Sequence, residues 1–316
     1  MLPATRVVMV ITVRRLRTTA QYVSFIVLMY GGRFGVNLGS AVPCFACPFV
    51  RGCGGQCYLL GVQGVLGFGM NLESLTGAPL FSALGWVAVF IILTALLGKI
   101  WCGWVCPFGL VQDWFSLLRR KLGVRERMAS EKTLRLLSPA KYILLGYIAV
   151  LPPLVTVGLL PSSFYLPFCN ICPGKALLPL FTLDGEYVAV LYSTFWTALP
   201  AVTAITLVGM FFKDRFFCVF CPMLALIHLL KPVTAIRLLK DNDSCVGCGN
   251  CTRACPMGIS GVSRERERFD VQFDSCLDCA RCAESCPSDG ALRLNWHRRT
   301  LFSSSRLYAS RRFRKP

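Results

Sequence analysis

Two cysteine runs near the end of the chain restrict its fold more than any other feature. The first is Cys245-x2-Cys248-x2-Cys251-x3-Cys255-Pro256, and the second is Cys276-x2-Cys279-x2-Cys282-x3-Cys286-Pro287. Three thiols so close together, with a fourth following, make the backbone wrap around a body that accepts several thiolates. The repeat of the same spacing calls for two such bodies. Iron–sulfur clusters take cysteine thiolates in this spacing. Zinc sites, the alternative, use two separated cysteine pairs, often with histidine, and not tandem runs of four ending in Cys-Pro.

The spacing resembles that of the bacterial two-cluster ferredoxin, in which the fourth cysteine of each run ligates the other cluster. The resemblance implies an α+β domain with two [4Fe–4S] clusters. One would be held by Cys245, Cys248, Cys251 and Cys286. The other would be held by Cys276, Cys279, Cys282 and Cys255.

The rest of the chain is apolar. Over 316 residues, 54% are hydrophobic, and the mean hydropathy is +0.56. This composition predicts a mainly α, integral membrane protein with about four transmembrane helices. The spans fall near Gln21–Leu38, Leu80–Leu97, Tyr142–Leu160 and Tyr187–Phe212, with a kink at Pro152-Pro153. Residues 1–238 then form a transmembrane domain with Cys-Pro surface or re-entrant loops. Residues 239–296 form the ferredoxin domain, and 297–316 a basic, solvated tail.

The net charge of +18 is distributed in a way that predicts topology, not nucleic-acid binding. Arg6, Arg14, Arg15 and Arg17 precede the first span, and a basic loop from Lys99 to Lys141 follows the second. Segments 41–79 and 161–186 carry only Arg51 and Lys175. The positive-inside rule therefore predicts a multi-pass protein of the cytoplasmic (inner) membrane, in contact with lipid, with both termini cytoplasmic. No cleavable signal peptide is evident. Histidine is limited to His228 and His297, and there is no Cys-x-x-Cys-His, which excludes c-type haem attachment.

Ten further cysteines lie outside the tandem runs. Eight form pairs ending in Cys-Pro: Cys44/Cys47, Cys102/Cys106, Cys169/Cys172 and Cys218/Cys221. Segments 101–110 and 217–224 form a weak internal repeat around two of these pairs. Proline suits the first turn of a helix, where its missing N–H is not needed. The positive end of that helix then faces an anionic cluster. Topology predicts an inner cluster on Cys102, Cys106, Cys218 and Cys221, and an outer cluster on Cys44, Cys47, Cys169 and Cys172. Cys53 and Cys57 are left over as alternative ligands of the outer site, ligands of a second cofactor, or a disulfide. Buried free cysteine is the plainer alternative, but four independent Cys-Pro pairs fit it poorly.

Gln63, Asn71 and Glu73 are candidates to face a quinone head group, against the plainer roles of helix capping and solvation. Gln112 and Asp113 read as a solvated helix face, Arg33 as an interfacial or charge-compensating group, and His228 as a satisfied core histidine. No acid–base catalytic residue is called for.

Together these features resemble the NapH/NosR-type membrane polyferredoxins. The resemblance covers nearly the whole chain. Cys102 and Cys106 match the inner Cys-x3-Cys-Pro motif, whereas Cys218 and Cys221 are separated by two residues, not three. The cysteines at 44–57 and at 169 and 172 are not part of that pattern. The resemblance implies an electron-transfer subunit of a membrane redox complex with two to four [4Fe–4S] clusters. It would relay electrons between a cytoplasmic donor or acceptor and a quinone pool or an extracytoplasmic cytochrome or oxidoreductase. The alternatives are a quinol dehydrogenase subunit and a ferredoxin that serves metalloenzyme assembly or thiol reduction.

Overall fold

The computed structural model describes residues 4–38, 42, 46–47, 52–68, 78–126, 133, 136–182, 198–307 and 309. Side chains are described from Val13 in the first helix and from Leu84 in the third. The helical part contains α1 (Ala4–Tyr30), α2 (Tyr58–Phe68) and α3 (Ala78–Leu97). A π-helical turn at Trp101–Val105 leads into α4 (Pro107–Lys121). Next come α5 (Ala140–Thr156), α6 (Pro173–Leu177), α7 (Ala198–Phe212) and α8 (Pro222–Leu229).

Three of these helices start on a Cys-Pro pair. Cys106, Cys172 and Cys221 are extended, and the proline after each opens α4, α6 and α8. A first-turn proline loses no hydrogen bond and brings its φ already set. The helices pack in a crossed arrangement: α2 on α5, α4 on α7, α6 on α7 and α8 on α5. Phe25, Met29, Leu59, Phe108, Ile148, Leu178, Met210 and Ile227 fill the shared core.

Among the described residues, no helix is long and apolar enough to cross a membrane. This overturns the expected integral membrane fold with four spans. It equally removes the basis for a multi-pass inner-membrane location with cytoplasmic termini, and for the lipid bilayer as a partner. α2 has 11 residues and α7 has 15. At ~1.5 Å per residue both fall short of a hydrocarbon layer of about 30 Å. α5 is interrupted by Pro152 and Pro153. The fourth expected span is described only from Ala198.

Several of the basic residues that suggested topology point inward, whereas Arg14, Arg15, Arg120, Lys121 and Arg125 are exposed. Lys99, Arg119, Lys141 and Arg215 are all no more than 3% exposed. Arg119 pairs with Asp214 at 2.8 Å and Arg215 with Asp113 at 2.6 Å. These cations neutralise internal anions, so their positions along the chain carry no information about sidedness.

The C-terminal unit is built on a three-stranded antiparallel sheet of β1 (Ile236–Lys240), β2 (Leu292–Trp296) and β3 (Arg299–Ser303), in that order. Ile236 faces Trp296, and Lys240 faces Leu292. Three short helices, α9 (Asn250–Ala254), α10 (Gly261–Arg264) and α11 (Arg281–Glu284), lie between β1 and β2. The sheet begins before residue 239. Its third strand comes from residues expected in the solvated tail, because Phe302 completes the small core with Ile236, Leu238 and Leu294.

The unit is clamped to the helical part just ahead of Cys276. Lys231 Nζ donates to the Gln272 carbonyl at 2.7 Å, and Lys99 Nζ donates to those of Phe273 and Asp274 at 2.7 and 3.0 Å. Lys141 Nζ reaches Asp274 Oδ2 at 2.8 Å. Arg17 donates to the Cys279 carbonyl at 2.5 Å and pairs with Glu284.

Candidate iron–sulfur centres

Cys102 and Cys106 come from the π-helical turn and the start of α4; Cys218 and Cys221 come from the turn that opens α8. All four line one pocket. Trp101, Phe108, Phe217, Met223 and Leu224 complete an apolar wall. Gln112 is the polar group in this lining. Its Oε1 accepts from the Phe217 amide at 3.0 Å, and its Nε2 lies 3.4 Å from Cys218 Sγ.

The thiols here resist ionisation. Burial, then repulsion from Cys106, Cys221 and Cys218, pushes Cys102 well up. Burial pushes Cys218 up to about 11, with Arg215 opposing. Thiolates gathered in such a place require a cation to hold them, and metal binding releases their protons. Among the described residues, no three His, Cys, Asp or Glu side chains are grouped to hold one metal ion. The four thiols line one pocket, which fits a polynuclear cluster.

Cys245, Cys248, Cys251 and Cys286 line a second pocket. The fourth thiol of the second run thus meets the first three of the first run. In return, Cys255 lies within the electrostatic reach of Cys279 and Cys282, and Cys276 within that of Cys282.

Among the remaining cysteines, Cys57, one of the two alternative ligands of the expected outer site, lies with three of that site's expected ligands. Cys172 is raised by burial and then by repulsion from Cys57, Cys47 and Cys169. Cys57 therefore joins Cys47, Cys169 and Cys172. Cys44 lies outside the described residues. Cys53 and Cys57 form no disulfide. Burial raises the Cys53 thiol, opposed by backbone hydrogen bonds at Cys53 and Gly55.

Residues 79–125 and 194–237 match the 4Fe-4S binding domain family, and residues 239–290 match the 4Fe-4S dicluster domain family. The two matches contain all the cysteines of the Cys102 site and of both ferredoxin-unit sites. Both matched families are 4Fe–4S domain families. The chain is 30% identical over 174 residues to an uncharacterised protein of Methanocaldococcus jannaschii, covering 55% of this chain and 65% of that one. It is 26% identical over 176 residues to the putative electron transport protein YccM of Escherichia coli, covering 55% and 45%. It is 28% identical over 192 residues to the ferredoxin-type protein NapH of Haemophilus influenzae, covering 59% and 58%. The chain thus spans less than two thirds of each of these relatives. No solved structure matches it.

Several residues of the chain have roles the sequence did not reveal. Gln112 and Asp113, expected on a solvated face, are turned inward. Asp113 accepts from Arg215 at 3.1 and 2.6 Å, from Gln21 at 3.2 Å and from Arg281 at 3.4 Å. Burial opposes its ionisation, but Arg215 and Arg281 outweigh that and hold it at about 2. Gln63, a candidate quinone contact, is buried with its amide engaged by Leu59, Phe168 and Cys169. Asn71 and Glu73 lie outside the described residues. His228 is not satisfied: its buried Nδ1 has no hydrogen-bond partner among the described residues, and burial followed by Lys99 holds the ring at about 4. The only available signal for the glutamines was their fixed position six residues after a cysteine.

Proposed function

We propose that this protein is an electron-transfer subunit of a redox complex, carrying single electrons between a partner at its ferredoxin unit and the site formed by Cys102, Cys106, Cys218 and Cys221. The bound [4Fe–4S] clusters supply reversible one-electron carriage. The chain holds the thiolates, excludes water and sets the local charge.

The observation that carries this reading is the contact between the two parts. Leu277, which sits between Cys276 and Asp278 in the chain, lines the cavity of the Cys102 site. Gly103, next to Cys102, packs directly on the Leu277 carbonyl and on Cys279. Trp104 Nε1 donates to the Asp278 carbonyl at 3.2 Å. Thiols of the two sites are thus separated by one layer of residues. Two cations serve both sides: Lys99 faces Cys276 and Cys102, and Lys213 faces Cys255 and Cys218. Arg215 faces Cys218 and Cys106 of the Cys102 site. Positive charge there favours the reduced, more anionic state of each site. The similarity to YccM, a putative electron transport protein, and to NapH, a ferredoxin-type protein, supports the same reading.

The test is EPR on the anaerobically purified, reduced full-length protein. Spins at the Cys276 and Cys102 sites are expected to couple and broaden each other's signals. Cys102→Ser should remove about four irons and abolish the broadening. Unchanged iron in that variant, or uncoupled spectra in the wild type, refutes the proposal.

A further inference from the structure

We propose that Cys47, Cys57, Cys169 and Cys172 hold a further [4Fe–4S] cluster, in a site built on the plan of the Cys102 site. The inference rests on the reading of that site given above. It concerns residues that neither matched domain contains.

The two sites correspond position by position at one constant offset along the chain. Cys53-Gly54-x2-Cys57-x4-Val62-Gln63 matches Cys102-Gly103-x2-Cys106-x4-Val111-Gln112. Phe168-Cys169-x2-Cys172-Pro173-x2-Ala176-Leu177 matches Phe217-Cys218-x2-Cys221-Pro222-x2-Ala225-Leu226. The structure repeats the same hydrogen bonds. Gln63 Oε1 accepts from the Phe168 amide at 3.1 Å, as Gln112 Oε1 does from the Phe217 amide at 3.0 Å. Gln63 Nε2 lies 3.8 Å from Cys169 Sγ, and Gln112 Nε2 lies 3.4 Å from Cys218 Sγ. Each glutamine also donates to the carbonyl four residues back, Leu59 or Phe108. The helix pairs correspond too, with α2 on α5 and α4 on α7. A fully buried glutamine aimed at a cysteine sulfur, together with its partner amide, is an unusual arrangement to find twice unless both copies serve the same kind of centre. Hydrogen bonds to sulfur are one of the means by which a protein tunes such a centre.

Register alone would put Cys53 where Cys102 stands. The structure instead brings Cys47 within the electrostatic reach of Cys57 and Cys172, and the glycine after Cys53 shows why. Gly103 packs on the ferredoxin unit, whereas Gly54 is pinned to the end of α1. Its amide donates to the Leu28 carbonyl at 3.1 Å, and an added methyl group would meet the Val27 carbonyl. Cys53 is thereby held aside and half-buried. Cys47, Cys57, Cys169 and Cys172 are each less than 9% exposed, and Cys47, Cys57 and Cys172 share the core that also contains Cys218 and Cys221. Four thiols closed off from water in an apolar setting, with no disulfide among them, suit a cluster better than thiol exchange, which needs access.

The test is iron and acid-labile sulfide per chain in anaerobically purified full-length protein, with EPR of the ferredoxin-unit signals in the same samples as the folding control. Wild type is expected to hold about sixteen irons, and Cys57→Ser and Cys172→Ser about twelve each, with ferredoxin signals intact. Cys53→Ser should match the wild type, and Cys47→Ser should lose about four irons. Wild-type iron in both Cys57→Ser and Cys172→Ser overturns the site. Loss of iron in Cys53→Ser with retention in Cys47→Ser overturns the choice of Cys47. Cys102→Ser, measured alongside, reports on the other site alone, so failure of one reading is separable from failure of the other.

Discussion

Replacing Asp113 by asparagine should destabilise the protein more than any other single polar substitution between its two parts. Asp113 receives both arms of Arg215, whose side chain is 3% exposed, and bridges to Arg281 of the ferredoxin unit. Two estimates of the loss can be made. Its carboxyl is held at about 2 against an ordinary value of 3.8. That shift is worth about 2 kcal/mol at neutral pH. Removing one partner of a buried pair, which leaves Arg215 charged and unpaired, costs about 3–5 kcal/mol. The expected loss therefore lies between about 2 and 5 kcal/mol, a fall in thermal midpoint of at least roughly 4 °C. The assay is anaerobic thermal unfolding at a fixed scan rate, followed by tryptophan fluorescence. The pH dependence gives a second check. A carboxyl with a lowered folded-state value contributes fully above its unfolded value near 4, and the contribution is lost only as pH falls toward about 2. The difference between wild type and D113N should therefore be constant from pH 6 to 8. A loss below about 1 kcal/mol, or a difference that varies across that window, would refute the pairing argument.

Three further outcomes follow from the same contacts. Gly103→Ala introduces a methyl group against the Leu277 carbonyl, with Cys279 Cα at 3.3 Å; the strain should cost about 1–3 kcal/mol and weaken the spin coupling between the adjoining sites, read by EPR. Lys99→Met removes a buried cation that faces Cys276 and Cys102, so both sites should become harder to reduce, and a redox titration showing unchanged or higher potentials would contradict this. Gln112→Leu should keep the full iron content but lower the potential of the Cys102 site, because the bond to Cys218 Sγ is lost; leaving the Phe217 amide unpaired should destabilise the protein by about 1–3 kcal/mol, measured by thermal unfolding.

Local spacing made the ferredoxin unit readable. Its thiols sit a few residues apart, and so short a segment has few ways to present them to one body. Hydropathy misled for the helical part. A stretch such as Ala140–Thr156 has the same composition whether it meets lipid or is packed against α2 and α8. Charge counting failed for a related reason. Lys99, Lys141 and Arg215 look like loop residues along the chain, but their partners Phe273, Asp274 and Asp113 are distant in sequence.

The sequence by itself determined the cofactor chemistry and the Cys-Pro helix starts, since both depend on residue identity and on separations of a few positions. Only the tertiary structure decided which thiols share a site, because that depends on how loops more than a hundred residues apart come together. Cys57 and Cys169 meet because Gln63 receives the Phe168 amide, and Cys53 stands aside because Gly54 is fixed to the end of α1. Nothing in the local pattern of cysteines records either contact.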